Sequence, residues 1–233
     1  DSLNNISNKG TTPFEPSMFE QVATENRALI LDTRDPEVFK DAFIPNSINI
    51  GGNGGFAPWV GTLITDLQQP ILIIAEPGKE EEIITRLARV GYDNTIGYLD
   101  GGLKAWEKAN KETDSIVSIS ASEFKEKYED GKIIVLDVRS EGEYLSEHVQ
   151  GVENFPLANI NMELSKLDSS NEYYIHCGGG YRSMITASIL KSRGFEKLID
   201  VAGGYKSIKE TDISVTDYIL SLIHISEPTR QEA

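Results

Sequence analysis

Short apolar runs alternate with helical stretches along most of the chain. Runs rich in β-branched and aromatic residues predict strands at 28–32, 71–75, 95–99, 133–137, 172–177 and 197–201. Helices are predicted between them, including one over 183–193, and Ser-x-x-Glu motifs at 17–20 and 120–123 predict two capped helix starts. This alternation indicates an α/β fold with a small, mostly parallel sheet and helices on both faces.

The same pattern occurs twice. Leu-Ile-Leu-Asp-Thr-Arg at 29–34 recurs as Ile-Val-Leu-Asp-Val-Arg at 134–139, and Asp-Gly-Gly-Leu-Lys-Ala-Trp at 100–106 recurs as Ala-Gly-Gly-Tyr-Lys-Ser-Ile at 202–208. An internal repeat of this kind indicates two copies of one domain in tandem, each of an ordinary domain size of about a hundred residues.

The repeat sets the predicted domain boundaries. We predict a first domain over 1–112 and a second over 113–220. The linker is expected near 109–119, where Lys, Glu, Thr, Asp and Ser replace the apolar periodicity. The last segment, 221–233, fits neither copy and resembles vector-derived translation, so we predict that it is not native structure.

Composition and charge narrow the functional classes. The chain has 37 acidic and 22 basic side chains and a formal net charge of −15, which disfavours sequence-independent binding to nucleic acid or to an anionic membrane. No apolar run approaches the length of a membrane span, and residues 1–10 hold no hydrophobic signal region, so we expect a soluble, cytoplasmic protein. The three histidines are too scattered to predict a metal site. The single cysteine excludes an internal disulfide framework and fits a reducing compartment.

That cysteine, Cys177, lies between a predicted strand and a predicted helix. Gly178, Gly179 and Gly180 follow it, and glycine lets a loop turn its amide N–H groups inward to form a nest for an anion. Inward amides, a helix N-terminus and the guanidinium of Arg182 all favour a thiolate. Many free cysteines are simply small buried hydrophobic residues, but those need no electropositive surroundings. We therefore predict a reactive thiolate at Cys177.

The segment Cys-Gly-Gly-Gly-Tyr-Arg-Ser at 177–183 resembles the active-site loop of the rhodanese family of sulfurtransferases. Four residues separate Cys177 from Arg182, whereas cysteine phosphatases of the Cdc25 type have one more. The resemblance implies two tandem rhodanese-like domains and a catalytic Cys177 that attacks the sulfane sulfur of thiosulfate or of a low-molecular-weight persulfide such as glutathione persulfide. The Cys177 persulfide would then pass its sulfur to an acceptor such as cyanide or sulfite, without a metal or an organic cofactor.

The resemblance also implies roles for the residues around the cysteine. The terminal sulfur of the persulfide would be held by the loop residues Gly178, Gly179, Gly180, Tyr181, Arg182 and Ser183. Asp137 and Arg139, which recur as Asp32 and Arg34, are predicted to support the site without binding substrate. His176 is predicted to pack within its strand, on the opposite face from Cys177, and not to activate the thiol.

The first copy has no cysteine. With Ala75 or Glu76 in the cysteine's place, its loop is shorter by one or two residues and contains a proline, which removes an amide donor. Three glutamates at 80–82 would repel an anion, so we predict a catalytically silent first domain that acts as a scaffold or an interface, with a binding role left open. The glycine-rich insertion at 51–61 is not a Walker or dinucleotide motif, and we predict that it packs Phe56 and Trp59 against a neighbour.

Phe-Ala-Pro-Trp-Val-Gly at 56–61, followed by a cysteine-free and then a cysteine-bearing domain, also resembles the tandem rhodanese region attached to metallo-β-lactamase-like persulfide dioxygenases. The chain has no His-x-His-x-Asp cluster, so such a metal domain would precede Asp1. Two other functions stay open at this point. A phosphatase or arsenate reductase would use the same thiolate on an oxyanion, and a non-catalytic module would use the whole chain for interaction.

Overall fold

The computed structural model describes residues 10–216, which form two five-stranded sheets. The strands of the first sheet are β1 (Pro13–Phe14), β2 (Leu29–Asp32), β3 (Ile48–Asn49), β4 (Ile71–Ile74) and β5 (Thr95–Leu99). Those of the second are β6 (Val117–Ile119), β7 (Ile134–Asp137), β8 (Glu153–Asn154), β9 (Tyr173–His176) and β10 (Leu198–Val201). The spatial orders, β1-β5-β4-β2-β3 and β6-β10-β9-β7-β8, are the same, so the internal repeat is one topology used twice.

Neighbouring strands within each sheet are parallel, and helices provide the crossovers that parallel strands require. The first domain contains α1 (Pro16–Asn26), α2 (Pro36–Asp41), α3 (Phe56–Leu63), α4 (Glu80–Arg89) and α5 (Gly102–Lys108). The second contains α6 (Ala121–Glu129), α7 (Glu141–Ser146), α8 (Ile160–Glu163), α9 (Tyr181–Ser192) and α10 (Gly204–Ile208), with 3-10 turns at Leu157–Asn159 and Leu164–Lys166. The predicted fold class, two tandem α/β domains with mostly parallel sheets, is confirmed.

The predicted elements differ from the structure in the edge strands and at helix starts. Each of the six predicted strands is present within one residue at either end, but β1, β3, β6 and β8 were not predicted. The Ser120 capping box is confirmed, but the one at 17–20 is wrong, because Pro16 already occupies the first helical turn and Glu15 precedes it. Helix α9 begins at Tyr181 and not at 183, because the chain enters it directly from Gly180. Residues 109–116 connect the two domains, and the predicted tail at 221–233 lies outside the described residues.

One apolar core runs through both domains. It includes Leu31, Phe56 and Val60 of the first domain and Leu136, Ile185 and Ile189 of the second. Helix α9 lies where the two domains meet. Its residues 183–190 are all buried, and the backbone amide of Asn49 in the first domain donates a hydrogen bond to Ser188 Oγ at 2.9 Å. A helix buried on every side needs no polar face. The helix that follows the cysteine loop is therefore held by both domains.

Candidate active site

Cys177 directly follows β9 and is 1% exposed. Its Sγ accepts a hydrogen bond from the Gly180 amide at 3.1 Å and lies 3.8 Å from Ser183 Oγ. Gly180 has a φ of 102°, in the left-handed region that glycine adopts without a Cβ clash, and this conformation directs its amide back to the sulfur. The sulfur therefore lies at the start of α9, where an amide dipole and the helix N-terminus stabilise negative charge.

The Gly-Gly pair of the second copy, Gly203 and Gly204, lies directly before two backbone amides that bind the cysteine loop. The Tyr205 amide donates to the Cys177 carbonyl at 2.6 Å, and the Lys206 amide donates to the Gly178 carbonyl at 3.2 Å. A Cβ on Gly204 would lie 2.4 Å from the Cys177 carbonyl oxygen, so only glycine fits there. The sequence marked this pair as a repeated motif but gave no sign that it contacts the cysteine loop.

Arg182 forms a bidentate ion pair that the sequence did not reveal. Its Nη1 and Nη2 lie 2.6 Å and 2.7 Å from the two carboxylate oxygens of Glu143. The hydrogen bonds from Arg182 lower the pKa of Glu143 to about 2, and those to Glu143 raise the pKa of Arg182, with the nearby Cys177 sulfur adding to that effect. The guanidinium is therefore held by a carboxylate beside the cysteine loop. The Ser-x-x-Glu motif at 140–143 could have predicted that Glu143 lies at the start of α7, but it does not show that the carboxylate binds Arg182.

We expect Glu143→Gln to lower the free energy of unfolding by about 1 kcal/mol at neutral pH. The folded-state pKa of Glu143, about 2, lies below its ordinary value of 4.5. The contribution of the pair is therefore complete above pH 4.5 and is lost as the pH falls through about 2. Because the Glu143 side chain is 41% exposed, solvent screening keeps the effect well below what the pKa shift alone would give.

Urea unfolding of the native chain and the variant at neutral pH and at about pH 3 tests this expectation. Glu141→Gln is the matched control, because Glu141 is exposed in the first turn of the same helix. The stability difference caused by Glu143→Gln should shrink on acidification. A difference that stays constant would contradict an ionic contribution.

Asp137 and Arg139 form a buried ion pair below the loop. Arg139 Nη2 lies 2.6 Å from Asp137 Oδ2 and 2.9 Å from the Glu147 carbonyl oxygen, and the guanidinium lies 3.8 Å over the Tyr205 ring. The first domain repeats this pair between Asp32 and Arg34, again with 2.6 Å between Nη2 and Oδ2. The same geometry in a domain without a cysteine supports the predicted architectural role.

His176 is fully buried, and its ring nitrogens lie 3.4 Å from the Cys177 carbonyl oxygen and 4.0 Å from Asp137 Oδ2. Its ring packs between Phe124 and Tyr205, and its Nε2 has no hydrogen-bond partner among the described residues. Burial lowers the pKa of His176, so the ring is neutral near neutral pH. This placement agrees with the predicted packing role.

The backbone identifies the first-domain counterpart of Cys177. The Thr33 amide donates to the Ile74 carbonyl as the Val138 amide donates to the His176 carbonyl, so Ala75 occupies the position of Cys177. At the other end of the following helices, Leu87 and Leu190 accept equivalent bonds from Tyr92 and Phe195. The loop of the first domain is therefore one residue shorter. A methyl group in place of the thiol supports the prediction that this domain is catalytically silent.

The glycine-rich insertion of the first domain contacts the cysteine loop of the second. Tyr181 donates its hydroxyl hydrogen to the Gly51 carbonyl at 2.8 Å, and a Cβ on Gly54 would lie 2.2 Å from the Tyr181 ring. Burial raises the pKa of Tyr181 to about 12, so it stays a donor. The insertion leads from β3 into α3. Phe56, the first residue of α3, is buried, and the Arg86 guanidinium lies 4.7 Å from the centre of its ring.

A cavity of about 250 Å³ lies beside this contact. Its lining comprises Asp35, Pro36, Glu37, Asn53 and Gly54 of the first domain and Gly179, Gly180 and Tyr181 of the second. A larger cavity of about 410 Å³ also lies between the domains, near Ile48, Leu63 and Ile189, but none of the loop residues lines it. Of these two cavities, only the smaller is lined by residues of the cysteine loop.

Comparison with known proteins places this fold and loop in a family. The rhodanese-like domain family matches residues 15–109 and 120–211. The chain therefore belongs to the rhodanese-like family and carries two such domains in tandem.

Individual relatives match parts of the chain. YrkF of Bacillus subtilis (strain 168) is 36% identical over 104 residues, 44% of this chain and 56% of YrkF. The thiosulfate sulfurtransferase GlpE of Coxiella burnetii (strain RSA 331 / Henzerling II) is 26% identical over 77 residues, 33% of this chain and 72% of GlpE. A solved structure of a rhodanese-related protein from Thermoplasma volcanium is 27% identical, with a TM-score of 0.40, and the match covers 43% of this chain and 97% of that one. The chain thus spans about half the length of YrkF.

Other features of the described part of the chain bear on cofactors and membranes. Between residues 10 and 216, no helix has the length and apolar character needed to cross a bilayer. The same residues contain no cluster of three or more His, Cys, Asp or Glu side chains arranged to hold a metal ion. The resemblance to the rhodanese region of persulfide dioxygenases stays a prediction.

Proposed function

We propose that the second domain is a rhodanese-type sulfurtransferase that carries sulfane sulfur as a persulfide on Cys177. The observation that carries this proposal is the position of Cys177 Sγ, at the start of α9 and 3.1 Å from the Gly180 amide, in a loop with four residues before Arg182. Such a loop stabilises an anionic sulfur and leaves little room for the oxygens of a phosphate. Membership of the rhodanese-like family supports the same reading.

In the proposed reaction, the Cys177 thiolate attacks the outer sulfur of a donor R–S–SH. A bond forms between Sγ and that sulfur, the bond between the outer sulfur and R–S breaks, and R–S⁻ leaves with the electron pair. With thiosulfate, the leaving group is sulfite. The terminal sulfur of the enzyme persulfide then lies about 2 Å beyond Sγ, within the loop formed by Gly178, Gly179, Gly180, Tyr181, Arg182 and Ser183. Attack by cyanide, sulfite or a thiolate on this sulfur regenerates the Cys177 thiolate.

We propose low-molecular-weight persulfides, such as glutathione persulfide, as better donors than thiosulfate. The only guanidinium in the loop, Arg182, is bound by both oxygens of Glu143, and Asp35 and Glu37 line the adjacent cavity. A compact dianion such as thiosulfate gains least from such surroundings, because a neutralised guanidinium attracts it weakly. The first domain would contribute to donor choice through its wall of that cavity.

Intact-mass spectrometry after brief exposure to each donor tests the proposed function. We expect the native chain to gain one sulfur, about 32 Da, and to lose it on addition of cyanide or sulfite, whereas Cys177→Ser gains none. Glutathione persulfide should load the enzyme faster than thiosulfate does. If neither donor loads the native chain while its thiol stays reduced, the transferase function is wrong, and turnover of an aryl phosphate would then indicate the phosphatase alternative.

A further inference from the structure

A chain of side chains leads from the cysteine to a buried carboxylate. Cys177 Sγ lies 3.8 Å from Ser183 Oγ, and Ser183 Oγ donates to Asp200 Oδ1 at 2.7 Å. The Ser183 hydroxyl has a single hydrogen, and the shorter, charge-assisted bond to Asp200 takes it in preference to the Gly180 carbonyl at 3.0 Å. The oxygen of Ser183 is then free to accept the thiol hydrogen of Cys177.

Asp200 lies in β10 and is 1% exposed. Its second oxygen accepts a hydrogen bond from Ser118 Oγ in β6 at 3.0 Å. The charged groups that face it are Glu37 and Lys40 of α2, which bind each other in the first domain. Burial raises the pKa of Asp200, although both serine hydroxyls oppose that shift. A buried carboxylate with few donors binds a proton more readily than an exposed one.

The first domain has replaced every member of this chain. Strand register pairs Asp200 with Ile175 and Tyr98 with Ile73, so Tyr98 holds the place of Asp200. Ala75 holds the place of Cys177, and counting back from Leu87 and Leu190 puts Glu80 in the place of Ser183. The architectural Asp-x-Arg pair, in contrast, is present in both domains. Cys177, Ser183 and Asp200 are thus absent together where the reaction is predicted to be absent.

We propose that Asp200, acting through Ser183, receives the proton that Cys177 releases when it becomes a thiolate. The Cys177 S–H hydrogen passes to Ser183 Oγ as the Ser183 hydroxyl hydrogen passes to Asp200 Oδ1. The products are a thiolate, an intact serine hydroxyl and a neutral carboxylic acid, so no proton leaves the protein. Asp200 is a positioning residue in this scheme, because Ser183 stands between it and the sulfur. The inference rests on the proposed function only in taking Cys177 as the reacting thiol.

This transfer predicts a distinctive dependence on pH. If the proton stays within the pair, the fraction of thiolate does not depend on pH as long as the pair holds one proton. If the proton must go to solvent, the thiolate fraction rises about tenfold per pH unit below the thiol pKa. Of the nearby groups, only a histidine would ordinarily titrate between about pH 6 and 8, and the pKa of His176 is lowered by burial.

The test is the rate of alkylation of Cys177 by iodoacetamide between about pH 6 and 8, followed by intact mass. This measurement needs no sulfur donor, so it does not depend on whether the protein is a sulfurtransferase. We expect a rate nearly independent of pH in the native chain. In Asp200→Asn, the rate should rise about tenfold per pH unit.

Two serine variants separate proton transfer from a structural effect. Ser183→Ala interrupts the chain while leaving Asp200 in place, and it should show the same steep dependence as Asp200→Asn. Ser118→Ala removes the other hydrogen bond to Asp200 but not the connection to sulfur, and it should keep the flat profile. If Asp200→Asn does not fold, Ser183→Ala still decides the question. A native profile as steep as that of Ser183→Ala, or flat profiles in all the variants, would overturn the proposal.

Discussion

Gly204→Ala is expected to slow sulfur uptake by Cys177 about a hundredfold, because it displaces the loop that carries the sulfur. An alanine Cβ at this position would lie 2.4 Å from the Cys177 carbonyl oxygen and 2.9 Å from the Gly179 amide nitrogen. Both neighbours are backbone atoms, which cannot rotate away as a side chain would. The loop must therefore move, and a displacement of about 1 Å at a reacting group is enough for a loss of this size.

Gly102→Ala in the first domain is the matched control. Gly102 and Gly204 have nearly the same left-handed backbone, with φ of 58° and 57°, so both variants share the conformational cost of alanine there, about 1 kcal/mol. A Cβ on Gly102, however, would meet the Ala75 carbonyl oxygen at an ordinary 3.7 Å. The initial rate of the mass increase with glutathione persulfide should therefore fall only in Gly204→Ala. Normal uptake by Gly204→Ala would show that the second Gly-Gly pair does not position the loop.

Asp137→Asn is expected to destabilise the protein by about 3 to 5 kcal/mol, since it leaves the buried Arg139 guanidinium without its counter-ion. Asp137 is fully buried, and its two oxygens accept from Nε and Nη2 of Arg139. Asparagine keeps the shape of the side chain but directs an amide group at the cation. Urea unfolding measures the loss, and sulfur uptake by the protein that remains folded should change little.

Asp32→Asn tests whether this role is architectural. Asp32 makes the same bonds to Arg34 in the first domain, and it is also fully buried. The two variants should therefore lose similar stability, although only one of them is near the cysteine. An Asp137→Asn protein with normal stability and no sulfur uptake would contradict the architectural role and would place Asp137 in the reaction.

The first domain contributes to the site despite its lack of a cysteine. Its insertion holds Tyr181 through the Gly51 carbonyl, and Asp35 and Glu37 line the cavity beside the loop. These contacts connect residues that are as many as 130 positions apart in the chain. A second domain studied alone would therefore lose a wall of its cavity and the packing of α9.

The sequence by itself determined the parts of the protein that depend on local pattern. Apolar runs located the six inner strands within one residue, because a buried strand needs apolar side chains wherever the chain goes next, whereas the short strands β1, β3, β6 and β8 lacked such runs. The repeat predicted two domains, and the segment from Cys177 to Ser183 identified the family before any contact was known. Glycine content and spacing are local properties, so the cysteine loop could be recognised from its residues alone.

Only the tertiary structure decided which distant groups reach that loop. Glu143 is 39 positions from Arg182, and Asp200 is 17 positions from Ser183, so no sequence period connects them. Parallel strands bring their carboxyl ends to one edge of the sheet, and the groups that follow β7 and β9 meet there whatever their separation in the chain. The packing of α9 against the first domain adds the cavity wall. Partners of the cysteine loop are therefore set by topology and burial, which single-sequence patterns do not encode.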